Sequence, residues 1–134
     1  MIKIDPALTA SDIKAYTDVG FSKKAAFHSK GKAFMRKLAA ELGLVKGSFD
    51  VRSNMGGIAV SGEITLHSDS LYVQLSESCM HRGGSLLYRS CKGRKDYTGG
   101  PNHFEKMADL KNERDFERFF NFCKQQHAEM EVLS

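Results

Sequence analysis

Hydrophobic residues near the N-terminus follow a helical period. Between residues 22 and 43 they recur at intervals of three and four, which predicts an amphipathic helix that Ser22 caps and Gly43 ends. A shorter helix is predicted over residues 10–18, after Thr9 and before a stop at Gly20. Gly31 lies on the apolar stripe of the longer helix, where it predicts a close packing contact.

The period changes to two in the middle of the chain. Across residues 58–76 apolar and polar positions alternate, with an interruption at Gly62 and a turn at residues 68–70. This pattern predicts a β-hairpin with one apolar and one polar face. Glycine-containing breaks set off two further strands, at residues 49–53 and 85–91. The expected sheet is therefore a four-stranded antiparallel meander.

The C-terminal part of the chain returns to a helical period. A short helix is predicted over residues 103–110, and Asn112 opens a final helix. The apolar stripe of that helix is formed by Phe116, Phe119, Phe120 and Cys123. The predicted fold class is α+β, with the order ααββββαα in a single domain that spans residues 1–134.

Composition adds limits on the class of protein. The chain has 134 residues and a net charge of +4, and it lacks the pattern of a secretory signal and any apolar run of membrane-spanning length. These features predict a cytoplasmic protein that does not contact membranes. Cys79, Cys91 and Cys123 are an odd number at wide spacing, so free and mostly buried thiols are expected rather than disulfides.

The first of two basic blocks lies in the predicted long helix. Residues 22–37 contain six Lys or Arg residues and no acid. Lys24, His28, Lys32 and Arg36 are spaced by four, which predicts a cationic stripe suited to phosphate groups. The alternative is an ordinary solvated helical face, although such faces usually mix both signs of charge.

The second basic block surrounds a glycine-rich loop after the last predicted strand. Glycines let backbone N–H groups approach an anion, Lys and Arg neutralise it, and Tyr97 can stack on a base. The candidate binding residues here are Arg89, Lys92, Arg94, Lys95, Asp96, Tyr97 and Asn102. The loop lacks the ending of a P-loop and the glycine pattern of a Rossmann fold. A solvated turn is the alternative interpretation.

The polar face of the hairpin is a third candidate surface. It presents Ser61, Glu63, Thr65, His67, Tyr72, Gln74 and Ser76, and Arg52 can join them from the neighbouring strand. Glu63 and His67 are about 13 Å apart by strand rise, which is too far for a direct hydrogen bond. An ordinary solvent-facing side of a sheet is the alternative.

Catalytic and metal sites have weaker signals. An enzyme site would need His67, Asp96, Tyr97 and His103 to meet at one end of the sheet. Zinc ligands are suggested only by Cys79-Met80-His81, without the second short-spaced pair that structural sites require. The sequence therefore predicts no metal and no other cofactor.

Three segments of the chain carry a resemblance to other proteins. Residues 56–67, 71–74 and 94–100, about the central third of the chain, resemble uncharacterised short proteins of phages and plasmid-like mobile elements in proteobacteria. The resemblance implies only a context, because small proteins of such elements often bind DNA or block a host defence enzyme.

Three hypotheses follow for the function. The first is a non-enzymatic protein that binds nucleic acid, or a nucleic-acid-handling complex, through the basic helix and the basic loop. The second is an inhibitor of a host defence system, of the anti-CRISPR or anti-restriction type, that binds a protein partner. The third is the small enzyme. The oligomeric state stays open.

Overall fold

The computed structural model describes residues 1–11, 13, 18–58, 60–77, 83–94 and 99–133, with side chains as far as residue 127. Within these residues, two short 3₁₀ turns, Pro6–Leu8 and Met107–Lys111, accompany the main elements. The helices are α1 (Asp18–Glu41) and α2 (Glu113–Leu133), and the strands are β1 (Phe49–Asn54), β2 (Glu63–Ser68), β3 (Leu71–Glu77), β4 (Gly84–Ser90) and β5 (His103–Lys106).

The strands form one antiparallel sheet in chain order, which confirms the α+β class and the meander. The prediction of four strands was wrong by one, because β5 pairs with β4 along the edge of the sheet. The predicted helix over residues 103–110 is instead β5 followed by a 3₁₀ turn. β5 has only four residues, and three of them are exposed, so it carries no apolar alternation that would predict a strand.

The predicted hairpin is formed by β2 and β3, with Leu66 opposite Val73. Ile58 and Val60 were predicted in its first strand, but they precede β2 and are exposed. Gly62 explains the difference, since its φ of +73° is left-handed and a Cβ there would collide with the carbonyl oxygen of Asn54. The chain therefore turns at Gly62 before the strand begins.

Helix α1 starts earlier than the sequence predicted. It begins at Asp18, so Gly20 lies inside the helix as a buried residue, and neither the stop at Gly20 nor the cap at Ser22 is observed. The predicted end is confirmed: Gly43 has a φ of +76°, and the amide of Leu44 donates to the carbonyl of Ala39 at 3.0 Å. Most of the predicted first helix, at residues 12 and 14–17, lies outside the described residues.

Both helices pack on the same face of the sheet. A Cβ at Gly31 of α1 would lie 3.0 Å from Ile64 of β2 and 3.2 Å from Leu75 of β3, which confirms a packing contact. On the same face, over β4, the rings of Phe119 in α2 and Tyr88 in β4 are 5.0 Å apart. The hydrophobic core therefore lies between the helices and one sheet face, and the opposite face carries no helix of the described chain.

Two further predictions concern thiols and membranes. Cys91 and Cys123 are buried thiols that are not in a disulfide, as expected, and Cys79 lies outside the described residues. Neither described helix has the length and apolar character needed to cross a membrane.

Candidate binding site on the helix-free face

The register of the strands arranges the helix-free face in rows of side chains. The first row consists of Asp50, His67, Tyr72 and Arg89. The second row consists of Arg52, Thr65, Gln74, Leu87 and Phe104. Beyond these rows, Asn54 lies beside Glu63, and Ser76 lies beside Ser85 and Lys106. The first row is buried at His67, Tyr72 and Arg89. This end of the face is therefore not an ordinary solvent-facing side of a sheet.

The first row is covered by the chain that follows β4. The carbonyl of Gly93 accepts a hydrogen bond from Nε2 of His67 at 3.0 Å, and the amide of Gly100 donates to the carbonyl of Ser90 at 3.1 Å. A Cβ at Gly99 would collide with that carbonyl oxygen and would lie 2.7 Å from the guanidinium of Arg89. Glycine is required there because the loop backbone lies directly against the sheet.

His67 is held as a neutral imidazole. Its Nε2 donates to Gly93, and its Nδ1 accepts a hydrogen bond from Nη2 of Arg52 at 3.0 Å, which together place the proton on Nε2. Burial lowers the pKa of His67, and the neighbouring charges of Arg52 and Arg89 lower it further, against the raising effect of the Gly93 hydrogen bond and of Asp50. The imidazole therefore lies in a locally positive environment.

Arg89 is a buried cation at the centre of this row. Only 5% of its surface is exposed, and its guanidinium carbon lies 4.4 Å from the centroid of the Tyr72 ring. Its hydrogen bond to the carbonyl of Ser90 is long at 3.5 Å. None of the carboxylates in the described part of the chain forms an ion pair with it. A buried cation is costly unless an opposite charge or hydrogen bonds compensate it.

Arg94 has a different environment from Arg89. Its guanidinium forms ion pairs with Asp50 at 3.8 Å and Asp69 at 3.4 Å, and all three side chains are partly exposed. Exposed pairs of this kind contribute little to stability. They hold the start of the loop beside the ends of β1 and β2, and they neutralise part of the positive charge of Arg94.

A polar cavity of about 240 Å³ opens over β1, β2 and β3 on the same face. It is lined by Arg52, Asn54, Glu63, Thr65 and Tyr72. The hydroxyl of Tyr72 donates to Gln74 at 2.8 Å, which fixes the ring whose face receives Arg89. The cavity has room for a phosphate or sugar-sized group, and its walls combine the cation of Arg52, the carboxylate of Glu63 and neutral polar groups.

The predicted cationic stripe of α1 is not a continuous surface. Lys24 is only 2% exposed, and its Nζ donates to the carbonyl of Gly57 at 2.8 Å. Lys32 is half-buried and Arg36 is exposed. A spacing of four places these residues on one side of the helix, but the segment before β2 covers the N-terminal half of that side.

His28, the remaining member of the stripe, is 3% exposed and holds the same segment. Its Nδ1 accepts from the hydroxyl of Ser53 at 2.7 Å, and its Nε2 donates to the carbonyl of Ser61 at 2.8 Å. Burial lowers the pKa of His28, and the charges of Lys24 and Lys32 add to this effect, against the Ser61 hydrogen bond. His28 is therefore an internal connection between α1 and the sheet.

The two basic blocks lie on opposite sides of the sheet. Gly31, in the middle of the first block, contacts the helix-bearing face, whereas Gly93, in the second, contacts the helix-free face through His67. Lys92 is exposed and Asn102 is exposed just before β5, while Lys95, Asp96 and Tyr97 lie outside the described residues. The described cations of the two blocks therefore do not join into one surface.

The structure does not bring together His67 and His103, two of the four residues of the hypothetical enzyme site. His103 stacks on Tyr88 on the helix-bearing face, with ring centroids 5.4 Å apart, whereas His67 lies on the helix-free face. Asp96 and Tyr97 lie outside the described residues. Three or more His, Cys, Asp or Glu side chains suited to one metal ion are not found together within the described ranges, and Cys79 and His81 fall outside them.

Comparisons of this chain with protein-family models, with curated proteins and with solved structures find no match. The geometry of the helix-free face therefore has to carry the functional inference. The sequence alone did not identify Phe104 and Lys106 as part of that face, because β5 was predicted as a helix.

Proposed function

We propose that this protein is a non-enzymatic binding protein that holds single-stranded nucleic acid on the helix-free face of its sheet. The observation that carries the proposal is Arg89, a buried cation stacked on Tyr72 without an acidic partner in the described chain. A phosphate group on this face would supply a charge opposite to that of Arg89, and the exposed guanidinium of Arg52 is of the kind that binds phosphate oxygens.

The charge and width of the face support a polymeric ligand rather than a small anion. Among the described residues, four cations lie on the face or at its margin, namely Arg52, Arg89, Arg94 and Lys106, against the three carboxylates of Asp50, Glu63 and Asp69. Five strands span about 19 Å from β1 to β5 at about 4.8 Å per interstrand spacing. This length suits several successive phosphate groups.

An exposed aromatic side chain supports a single strand rather than a duplex. Phe104 of β5 is 65% exposed in the same row as Arg52 and Gln74. Sheet faces that bind single-stranded RNA stack unpaired bases on such rings, while a duplex keeps its bases stacked inside. Arg52, which is exposed, would contact a phosphate directly, the buried charge of Arg89 would attract that phosphate to the face, and Phe104 would stack on a base.

Fluorescence anisotropy of labelled single-stranded oligonucleotides, RNA and DNA, tests the proposal. Affinity should fall steeply between about 50 and about 200 mM salt, and each lost phosphate contact should lower the slope of log K against log salt by about 0.7. Arg89→Met and Arg52→Gln should weaken binding and lower this slope. Arg36→Gln is the matched control, because it removes one exposed charge from α1, away from the proposed face.

Two results would overturn the proposal. One is the absence of binding to any single-stranded oligonucleotide at the lower salt concentration. The other is an equal loss of affinity in Arg36→Gln and Arg89→Met, which would mean that binding follows the total charge of the protein and not the helix-free face.

A second candidate is an inhibitor that binds a protein of a host defence system. Exposed apolar side chains at Phe21, Ile58 and Val60 favour it, because such side chains often mark a protein-binding surface. The hydrogen bond from Lys24 to Gly57 holds the segment that contains Ile58 beside the first turns of α1, where Phe21 lies. The likeness to proteins of phages and mobile elements remains a prediction that fits this candidate. Ile58→Asn with Val60→Asn should abolish capture of such a partner and leave oligonucleotide affinity unchanged.

A further inference from the structure

A second, larger depression lies outside the site described above, at the edge of the sheet. It is an open groove of about 800 Å³ between β5 and the middle of α2. β5 is the last strand of the described sheet, so the groove is bounded by a strand edge on one side and a helix on the other. Its size is within the range of small-molecule sites.

Aromatic rings form the floor of the groove. The ring of His103 stacks on Tyr88 with an angle of 24° between planes, and its centroid is 4.7 Å from that of Phe122. Because His103 is exposed while Tyr88 is buried, the imidazole face turned away from Tyr88 is open to the groove. A planar ring placed there would stack on His103 and contact Phe122 at an angle, which is a favourable arrangement for aromatic groups.

Side-chain amides and one arginine form the rim. The amides belong to Asn102, Asn121 and Gln125. Arg118 is already engaged, because it forms a bidentate pair with the buried carboxylate of Glu105 at 2.9 and 3.0 Å and a further ion pair with Asp115 at 3.0 Å. Asn and Gln amides pair with the adjacent donor and acceptor of adenine, whereas guanine is read by a free Arg or Lys.

The carboxylate end of the groove is closed to an additional cation. Burial raises the pKa of Tyr88 to about 12, and the charge of Glu105 and its hydrogen bond add to this rise. The phenol therefore stays protonated and donates to Oε1 of Glu105 at 3.2 Å. With Tyr88 and Arg118 both on this carboxylate, the groove offers neutral amides and aromatic faces to a ligand.

The groove is continuous with the helix-free face around the sheet edge. Phe104 and His103 are neighbours in β5 and point to opposite faces, and both line the groove. We propose that the groove accepts one adenine base of the strand bound on the helix-free face, stacked on His103 and read by Asn121. This inference rests on the proposed function and adds a base preference at one position of the bound strand.

NMR titration with free adenosine, guanosine and uridine tests the groove without any phosphate. Adenosine should shift the ring signals of His103 and Phe122 in a saturable manner, and guanosine and uridine should do so at least several-fold more weakly. Asn121→Ala and His103→Ala both replace exposed side chains and should weaken the adenosine response by about tenfold, as for the loss of one good base contact. Ser29→Ala, an exposed neutral substitution on α1, is the control.

Oligonucleotides separate the failure of this inference from that of the proposed function. One adenine in an oligo-thymidine should raise affinity by about tenfold, and Asn121→Ala should remove this gain without changing the salt slope. If oligo-thymidine binds but adenine adds nothing, the base site is refuted and the nucleic-acid face stands. If adenosine binds the groove but no oligonucleotide binds, the nucleic-acid face is refuted, and with it the claim that the base belongs to a bound strand.

Discussion

Arg89→Met is expected to separate stability from binding. Methionine keeps an apolar stem of similar length against Tyr72 and removes a guanidinium that is only 5% exposed. The lost cation–π contact at 4.4 Å costs about 1 to 2 kcal/mol, and the 3.5 Å hydrogen bond to Ser90 contributes little. The relieved desolvation penalty of a buried cation is several kcal/mol. The free energy of unfolding should therefore stay unchanged or rise by up to about 2 kcal/mol.

Urea denaturation followed by circular dichroism measures this change, with oligonucleotide anisotropy on the same preparation. Arg118→Met is the matched control, because its guanidinium is paired with Glu105 and its loss leaves a buried carboxylate without a cation. That variant should be destabilised. A loss of about 3 kcal/mol in Arg89→Met, the size expected when one member of a buried ion pair is removed, would refute the reasoning and make Arg89 a structural residue.

Three further outcomes are expected. The folded state lowers the pKa of His28 and His67, so the unfolded chain binds protons first as pH falls below about 6.5. The stability that the neutral imidazoles contribute is therefore complete above that pH and is lost below it. Urea midpoints at several pH values should show this loss, and a flat profile would contradict buried neutral histidines. Gly84→Ala should lower the melting temperature strongly, because a Cβ there would collide with the carbonyl oxygen of Leu8; a melting temperature equal to that of the wild type would refute this packing. Cys123, buried and with its pKa raised by burial, should resist alkylation in the native protein and react after denaturation, as mass spectrometry can verify.

Hydrophobic periodicity and glycine positions predicted those elements whose structure depends on residues close together in the sequence. The alternation across the hairpin identified the buried face at Leu66 and Val73, and Gly43 marked the end of α1 because a left-handed residue is required there. β5 escaped prediction, since a four-residue edge strand such as His103–Lys106 needs only one buried side chain.

The candidate site was harder to predict than the fold. A spacing of four correctly placed Lys24 and His28 on one side of α1, but periodicity does not reveal that the segment before β2 covers that side. Likewise, the positive charge near Arg89 was evident from the sequence, whereas its burial against Tyr72 depends on pairing between strands that are distant along the chain. Burial of polar residues is a tertiary property, and it decided which cations belong to the site.

Because both helices lie on one side of the sheet, the residues that form the core and the residues proposed to bind a ligand occupy different positions along each strand. Along each strand, alternate residues serve different ends: one set packs in the core, and the other lies on the helix-free face, where His67, Tyr72 and Arg89 are buried and the second row reaches the surface. Arg52, Gln74, Leu87 and Phe104, in the more exposed second row, are the positions that can change with the least effect on the core. A library randomised at these four positions should yield folded proteins with altered ligand preference, so the scaffold is suited to rapid diversification under selection.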